Sequence, residues 1–180
     1  MVNNIVMKDG SSVQKIQVSL VMGSDSDFEI ASKAIQTLDQ YDIRYEVRII
    51  SAHRDTEACL EFAREAHQRG IQVIIAIAGL SAHLAGVIAS NTPLPVIGVP
   101  LNRSSLAGMD AVYSIMQMPS GIPVAMVGID NTSNAALMAV RILALHDKAL
   151  LSKWFENHEE MKKQLIQKNQ LIQKKVKNGI

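Results

Sequence analysis

Residues 16–38 read IQVSLVMGSDSDFEIASKAIQTL and join an apolar run directly to an amphipathic one. The apolar run, 16–22, has the length of a buried strand. After the turn GSDSD, apolar residues recur at three- and four-residue spacing, which is typical of a helix that packs on a sheet; they are Phe28, Ala31, Ala34, Ile35 and Leu38. The segment predicts a strand followed by a helix that starts near Ser26 or Asp27.

The same alternation of strand and helix continues along the chain. Further apolar runs of strand length are 45–50, 71–78, 95–99 and 123–129, with helical patterns over 55–70 and 131–146. Most runs lack strict alternation, as expected when both faces of a strand are covered. With right-handed crossovers, this order predicts an α/β fold, a three-layer αβα sandwich around a parallel sheet. Ligands of such folds bind at the carboxyl edge of the strands.

Composition limits the possible partners and compartment. Of the 180 residues, 48% are hydrophobic but only 4% aromatic, so the core is built from aliphatic side chains and Met. The net charge of +1 provides no field for nucleic acid or an anionic membrane, and we expect neither as a partner. Cys59 is the only cysteine, which excludes a disulfide framework and favours a reducing cytoplasm.

The chain is expected to have three parts: a flexible leader 1–15, a catalytic α/β domain 16–148 and a helical tail 149–180. The leader is polar and lacks the apolar core of an export signal. The tail carries apolar residues among many Lys and Gln; they are Leu150, Leu151, Trp154, Phe155, Met161, Leu165, Ile166, Leu171 and Ile172. Two interpretations stay open for it, a solvated extension or a helix that packs on a neighbouring subunit.

Two predicted strands end in loops suited to an anion. The first, Gly23 to Asp27, offers backbone N–H groups and the Ser24 hydroxyl to a phosphate, although it is equally a plain capped turn. The second contains Ser51, His53 and Arg54. Arg54 with Ser51 can bind a phosphate, and the imidazole of His53 is the type of side chain most often used for proton transfer. The alternative is a surface histidine beside an arginine that pairs with a carboxylate.

The third predicted strand ends in AGLSAHLAG, 78–86, and brings His83 to the same edge. Its small residues permit close approach of the backbone to a flat ring. The alternative is a capped helix start in which His83 is merely packed. Three such loops at one edge favour a binding site over three unrelated turns.

Together these segments resemble a known family over about residues 16–150. The ordered motifs are MGSDSD at 22–27, SAHR at 51–54, AGLSAHL at 78–84, GVP at 98–100, YSIMQMP at 113–119 and NAAL at 134–137. They are similar to those of the class I PurE family, the N5-carboxyaminoimidazole ribonucleotide mutases. That resemblance implies a flavodoxin-like sandwich, a homo-octamer with active sites shared between subunits, and no metal or organic cofactor.

The resemblance also implies a reaction and a role for each residue. In purine biosynthesis the family moves a carboxylate from N5 to the ring carbon, through aminoimidazole ribonucleotide and trapped CO₂, to give 4-carboxy-5-aminoimidazole ribonucleotide. His53 and His83 would be catalytic, with His53 carrying the proton. The substrate-binding residues would be Ser24, Ser51 and Arg54 on the phosphate, Asp27 on the ribose hydroxyls, and Gly79, Ser81 and Leu84 around the imidazole and its carboxylate.

Departures from the family pattern keep alternatives open. Mutases usually carry Gly-Gly-Ala-Ala-His-Leu-Pro-Gly in the third loop, whereas this chain has Leu80, Ser81 and Ala85. Ser120 in the segment MPSGI resembles the class that carboxylates aminoimidazole ribonucleotide directly with CO₂, and 127–131 resembles a carboxylase of nickel-pincer cofactor synthesis. A catalytically silent nucleotide-binding module is the third possibility, and two histidines at the crevice argue against it.

Overall fold

The computed structural model describes residues 15–179, so the predicted leader 1–15 lies outside the described residues apart from Lys15. Strands and helices alternate as predicted, and a short 3₁₀ turn, Asp25–Asp27, precedes the first helix. The elements are β1 Val18–Met22, α1 Phe28–Gln40, β2 Tyr45–Ile49, α2 Thr56–Glu65, β3 Val73–Gly79, α3 Leu84–Ala89, β4 Val96–Leu101, α4 Met109–Met116, β5 Ala125–Met126, α5 Thr132–Leu143 and α6 Lys148–Lys177.

The strands form one parallel sheet in the order β2-β1-β3-β4-β5. Helices flank this sheet, which confirms the predicted α/β sandwich. Met22 at the end of β1 pairs with Ile49 of β2 and Ile77 of β3, so neighbouring strands end at one level. The chain passes from β1 to β2 on one side and to β3 on the other. A crevice therefore opens where the strand order reverses, the usual ligand position in this architecture.

Burial explains the continuous apolar runs. β1 and β4 are buried along their whole length, as is β3 up to Gly79 at its end, because helices cover both faces of the central sheet. At Gly98 of β4, an added Cβ would lie 2.5 Å from Cγ2 of Ile115 in α4. Glycine at that position allows the helix to approach the sheet this closely.

One ionic cluster is built into the sheet between β1 and β2. The Glu46 side chain is fully buried and receives hydrogen bonds from Ser19 Oγ at 3.0 Å and from two guanidinium nitrogens of Arg69 at 2.8 Å. Arg48 Nε lies 3.1 Å from Glu46 Oε2, and both arginines lie over the ring of Phe62. Burial by itself would raise the pKa of Glu46, but the bonds and charge of Arg69, with Arg48 and Ser19, lower it.

Two expectations about individual segments were wrong. Phe28, predicted to face the sheet, is 53% exposed, whereas Ala31, Ala34 and Leu38 are fully buried. Phe28 is the first residue of α1. Helical spacing predicts which side chains share one face of the helix, but it does not predict at which residue the sheet begins to cover that face. The run 123–129 contributes only the two residues of β5 to the sheet.

The chain divides into two compact units, and the second begins at Leu143. It contains α6, which confirms the predicted terminal helix. Asp147 caps that helix by accepting hydrogen bonds from the backbone N–H groups of Ala149 and Leu150, both at 3.0 Å. Most apolar side chains of α6 are exposed: Leu151, Phe155, Met161, Leu165, Ile166, Leu171, Ile172 and Val176. None of the helices in residues 15–179 combines the length and apolarity needed to cross a membrane.

Candidate active site

A cavity of about 440 Å³ lies at the carboxyl edge of the sheet. The loops that follow β1, β2, β3 and β4 line it, as the strand order predicts. The structure brings every predicted site residue to this cavity: His53, His83, Ser24, Asp27, Ser51, Arg54, Gly79, Ser81 and Leu84. Their individual roles stay predictions, but their common location supports one site rather than several separate turns.

The loop after β1 is held in shape by its own short side chains. Ser24 Oγ accepts hydrogen bonds from the backbone N–H of Ser26 at 3.3 Å and from Ser26 Oγ at 3.0 Å, and it donates to Asp25 Oδ1 at 3.0 Å. Asp27, the last residue of the turn, is 5% exposed and lines the cavity. Ser24 is thus both a cap of the turn and a hydroxyl that lines the cavity. The two interpretations of this loop, a capped turn and an anion-binding loop, are therefore compatible.

Arg54 bridges the loops after β1 and β2. Its Nε donates to Ser51 Oγ at 3.2 Å, and a terminal nitrogen donates to the carbonyl oxygen of Gly23 at 2.7 Å. Within residues 15–179 the guanidinium pairs with no carboxylate, so the predicted alternative of an Arg54 ion pair is wrong for that part of the chain. A guanidinium held by neutral acceptors keeps its charge available for an anion.

The two histidines form a pair in the cavity. His53 Nε2 lies 2.8 Å from His83 Nδ1, and the rings are nearly perpendicular at 87°. In this contact one imidazole donates the hydrogen bond and the other accepts it. His83 stands at the N-cap position of α3, but its side chain is exposed and makes no capping bond. The alternative that His83 is merely packed is therefore wrong.

Leu80 carries backbone strain at the tip of the loop after β3. Its φ is 56°, in the left-handed region that glycine adopts freely. A residue with a Cβ costs about 1–2 kcal/mol there. The Leu80 side chain is 54% exposed and lines the cavity, so this loop keeps a strained conformation without burying the residue that bears it.

Arg103, in the loop after β4, lines the cavity although the motifs did not include it. Its Nε donates to Asp27 Oδ1 at 3.2 Å, and a terminal nitrogen donates to the carbonyl oxygen of Ser26 at 2.9 Å. Its aliphatic stem crosses Gly79, where an added Cβ would lie 2.6 Å from Arg103 Cγ. The sequence offers one indication of this location: Arg103 closely follows β4, and β4 ends at this edge of the sheet.

Comparison with known proteins adds four likenesses. The family model described as AIR carboxylase matches residues 17–164. The N5-carboxyaminoimidazole ribonucleotide mutase of Pyrococcus horikoshii is 49% identical over 155 residues, which cover 86% of this chain and 88% of the relative. The chloroplastic phosphoribosylaminoimidazole carboxylase of Vigna aconitifolia is 43% identical over 168 residues, 93% of this chain but 30% of the relative. The crystal structure of Treponema denticola PurE matches 86% of this chain and 96% of its own with a TM-score of 0.79 and 34% identity.

Proposed function

The chain belongs to the AIR carboxylase family, and from that premise we propose that it is an N5-carboxyaminoimidazole ribonucleotide mutase. It is an isomerase that moves a carboxylate from N5 to the ring carbon in purine biosynthesis. Relatives with the mutase name match most of this chain and most of their own length. The single observation that carries the proposal is the His53–His83 pair, which lies in a cavity beside Arg54, an arginine that has no carboxylate partner among residues 15–179.

The cavity offers complementary groups to the ribose phosphate. In our proposal the phosphate binds Arg54 with the hydroxyls of Ser24 and Ser51, because the guanidinium is already oriented by neutral acceptors. Asp27 lies further along the loop after β1 and accepts hydrogen bonds from the ribose hydroxyls. The imidazole then lies against Gly79, Ser81 and Leu84, next to the two histidines.

The reaction requires that one proton is added to the nitrogen and one is removed from the ring carbon. The C–N bond of the carbamate breaks, CO₂ leaves, and the nitrogen takes up a proton to give aminoimidazole ribonucleotide. The ring carbon then attacks the CO₂ held in the cavity, and the proton on that carbon is removed as the C–C bond forms. His53 transfers these protons and His83 holds or shares them through the 2.8 Å contact. The proton count balances, as an isomerisation requires.

Confinement supplies the rest of the catalysis. Because the carbamate is intrinsically labile, the site must retain CO₂ and orient the ring more than it must drive decarboxylation. Loops from separate strands line the cavity, and Leu80 provides an apolar side chain at its wall.

Direct carboxylation with CO₂ is the second candidate, and the carboxylase name of the Vigna aconitifolia relative favours testing it. Purified protein is given synthetic N5-carboxyaminoimidazole ribonucleotide, and separately aminoimidazole ribonucleotide with bicarbonate. A mutase makes product faster from the carbamate at equal ribonucleotide concentration, and isotopic CO₂ from solution enters the product poorly. Faster turnover of the second mixture would reassign the chain to the carboxylases, and no turnover of either would support a silent nucleotide-binding module.

We also propose that the protein is a cytoplasmic homo-octamer whose active sites are shared between subunits. Exposed apolar side chains support an association surface: Leu106, Met109, Tyr113 and Met116 on and before α4, with the exposed set on α6. Cys59 is the only cysteine of the sequence, so the chain has no disulfide framework, which fits a reducing compartment.

A further inference from the structure

We propose that Arg103 is a positioning residue for substrate binding, which orients the Asp27 carboxylate toward the ribose hydroxyls. This inference rests on the proposed function and deepens it. The relevant contacts are the two hydrogen bonds that Arg103 donates, to Asp27 Oδ1 and to the carbonyl oxygen of Ser26. One bond holds the side chain of Asp27, and the other holds the backbone of the preceding residue, Ser26.

Arg103 reaches this position from a distant part of the chain. It follows β4 and is separated from Asp27 by 76 residues, and in the sheet β3 lies between β4 and β1. The arginine stem passes over Gly79, where the lack of a side chain leaves room for it. A planar guanidinium with two donors on one loop restricts that loop more than a single contact does.

The second carboxylate oxygen of Asp27 is left for a ligand. Arg103 and the more distant Ser26 hydroxyl, at 3.5 Å, both contact Oδ1. Within residues 15–179 both of these contacts use Oδ1, and Asp27 lines the cavity although only 5% of the residue is exposed. A carboxylate has two acceptor oxygens, so Oδ2 can accept a hydrogen bond from a ribose hydroxyl that enters the cavity.

The two arginines that line the cavity differ in whether a carboxylate compensates their charge. Arg54 is held by a hydroxyl and a carbonyl oxygen, so its charge can attract an anion. Arg103 is already paired with Asp27, at 3.2 Å, and its charge is locally compensated. Arg54 is therefore suited to the phosphate, and Arg103 acts through Asp27 on the sugar.

The test compares ligands that differ only at the sugar. Calorimetry measures binding of 4-carboxy-5-aminoimidazole ribonucleotide and of its 2′,3′-dideoxy analogue to the wild type, Arg103→Met and Arg103→Lys. Arg103→Met should bind the ribonucleotide about 10- to 100-fold more weakly, the range of a charge-assisted hydrogen bond. Arg103→Lys should recover part of that loss, because it can still pair with Asp27. For the dideoxy analogue the wild type and Arg103→Met should bind alike.

A double-mutant cycle identifies the residue through which Arg103 acts. In an Asp27→Asn background, Arg103→Met should cost little further affinity, and in steady-state assays Arg103→Met should raise KM more than it lowers kcat. Arg64→Met, at an exposed position on α2, is the control for loss of an arginine. Equal losses on both ligands, or additive losses with Asp27→Asn, would overturn the inference and leave the proposed function intact. A wild type that binds neither ligand would overturn both.

Discussion

His53 and His83 are separated by 30 residues, yet their facing nitrogens lie 2.8 Å apart. They follow β2 and β3, which are not neighbours in the sheet, because β1 lies between them. The two loops therefore meet above the end of β1, next to the turn assigned to the phosphate. This brings two imidazoles together beside the loops that we propose bind the sugar phosphate, although no local sequence motif contains both histidines.

Replacement of either histidine should lower turnover and spare the fold. We expect His53→Asn to lower kcat by about 10²–10⁴-fold, the usual contribution of a positioned acid–base group. His83→Asn should lower kcat less, and the double variant should be no slower than His53→Asn because the two rings act as a unit. Both side chains are exposed, so melting temperatures should not change. Wild-type kcat in His53→Asn would exclude it as the proton carrier.

Arg54→Ala should weaken nucleotide binding more than it changes the chemistry. A charge-assisted contact to phosphate contributes about 1.5–3 kcal/mol, so the dissociation constant should rise roughly 10-fold or more. Calorimetry with the nucleotide and with its dephosphorylated nucleoside measures the effect, and Arg64→Ala is the matched control. The assignment to phosphate is wrong if the variant loses the same affinity for both ligands.

Gly79→Ala tests the passage of Arg103 over the end of β3. The new Cβ would lie 2.6 Å from Cγ and 2.9 Å from Cβ of Arg103, so the arginine must shift or the loop must strain by about 1–3 kcal/mol. We expect KM for the ribonucleotide to rise, as in Arg103→Met. In an Arg103→Gly background the remaining contact, Leu101 Cβ at 3.4 Å, is ordinary, so adding Gly79→Ala should change KM little. A large further rise would show that Gly79 acts independently of Arg103.

Glu46 should make stability sensitive to acid. Its folded-state pKa is lowered from the ordinary 4.5, so its stabilising effect is present above that pH and is lost as pH falls through the folded-state pKa. Glu46→Gln should cost roughly 3 kcal/mol at pH 7, since it leaves Arg69 and Arg48 without their carboxylate. The difference between wild type and variant should shrink below pH 4.5. Urea unfolding across pH measures this, with exposed Glu61→Gln as control, and a constant difference would contradict the assignment.

The exposed apolar face of α6 should matter for assembly. Leu165→Gln with Ile172→Gln removes two exposed apolar side chains, each contributing about 1.5–3 kcal/mol if a neighbouring subunit covers it. Multi-angle light scattering should show a smaller assembly, and activity should fall with it; Lys168→Gln is the control. An unchanged mass of the variant would favour the interpretation that the tail is a solvated extension. A monomeric wild type would exclude active sites shared between subunits.

Much of the fold can be predicted from hydrophobic patterns within short segments of the sequence. Fully buried strands such as β3 read as uninterrupted apolar runs, and the spacing of Ala31, Ala34 and Leu38 indicates the inner face of α1. Strand ends were less predictable. The run 123–129 is apolar throughout, but only Ala125 and Met126 are in regular register with β4, and after them the backbone makes isolated hydrogen bonds, from Val127 to Gly98 and from Asp130 to Pro100.

The candidate site was predictable where one short segment carries the chemistry. Ser51, His53 and Arg54 are almost consecutive, and parallel strands bring such segments to a common edge. Arg103 was not predicted, because its contact with Asp27 depends on side-chain reach across β3 and on the missing side chain of Gly79. The positive φ of Leu80 was also hidden, since leucine gives no indication of a left-handed backbone.

The shortness of β5 has a consequence for how subunits can meet. A strand of two residues, Ala125 and Met126, leaves almost no free row of backbone donors and acceptors at that border of the sheet. The opposite border, β2, carries Glu46 and Arg48, whose charges are engaged within the chain. Continuation of the sheet from one molecule into the next is therefore disfavoured at β5. Association through side chains on the helices can then produce closed particles rather than fibrils.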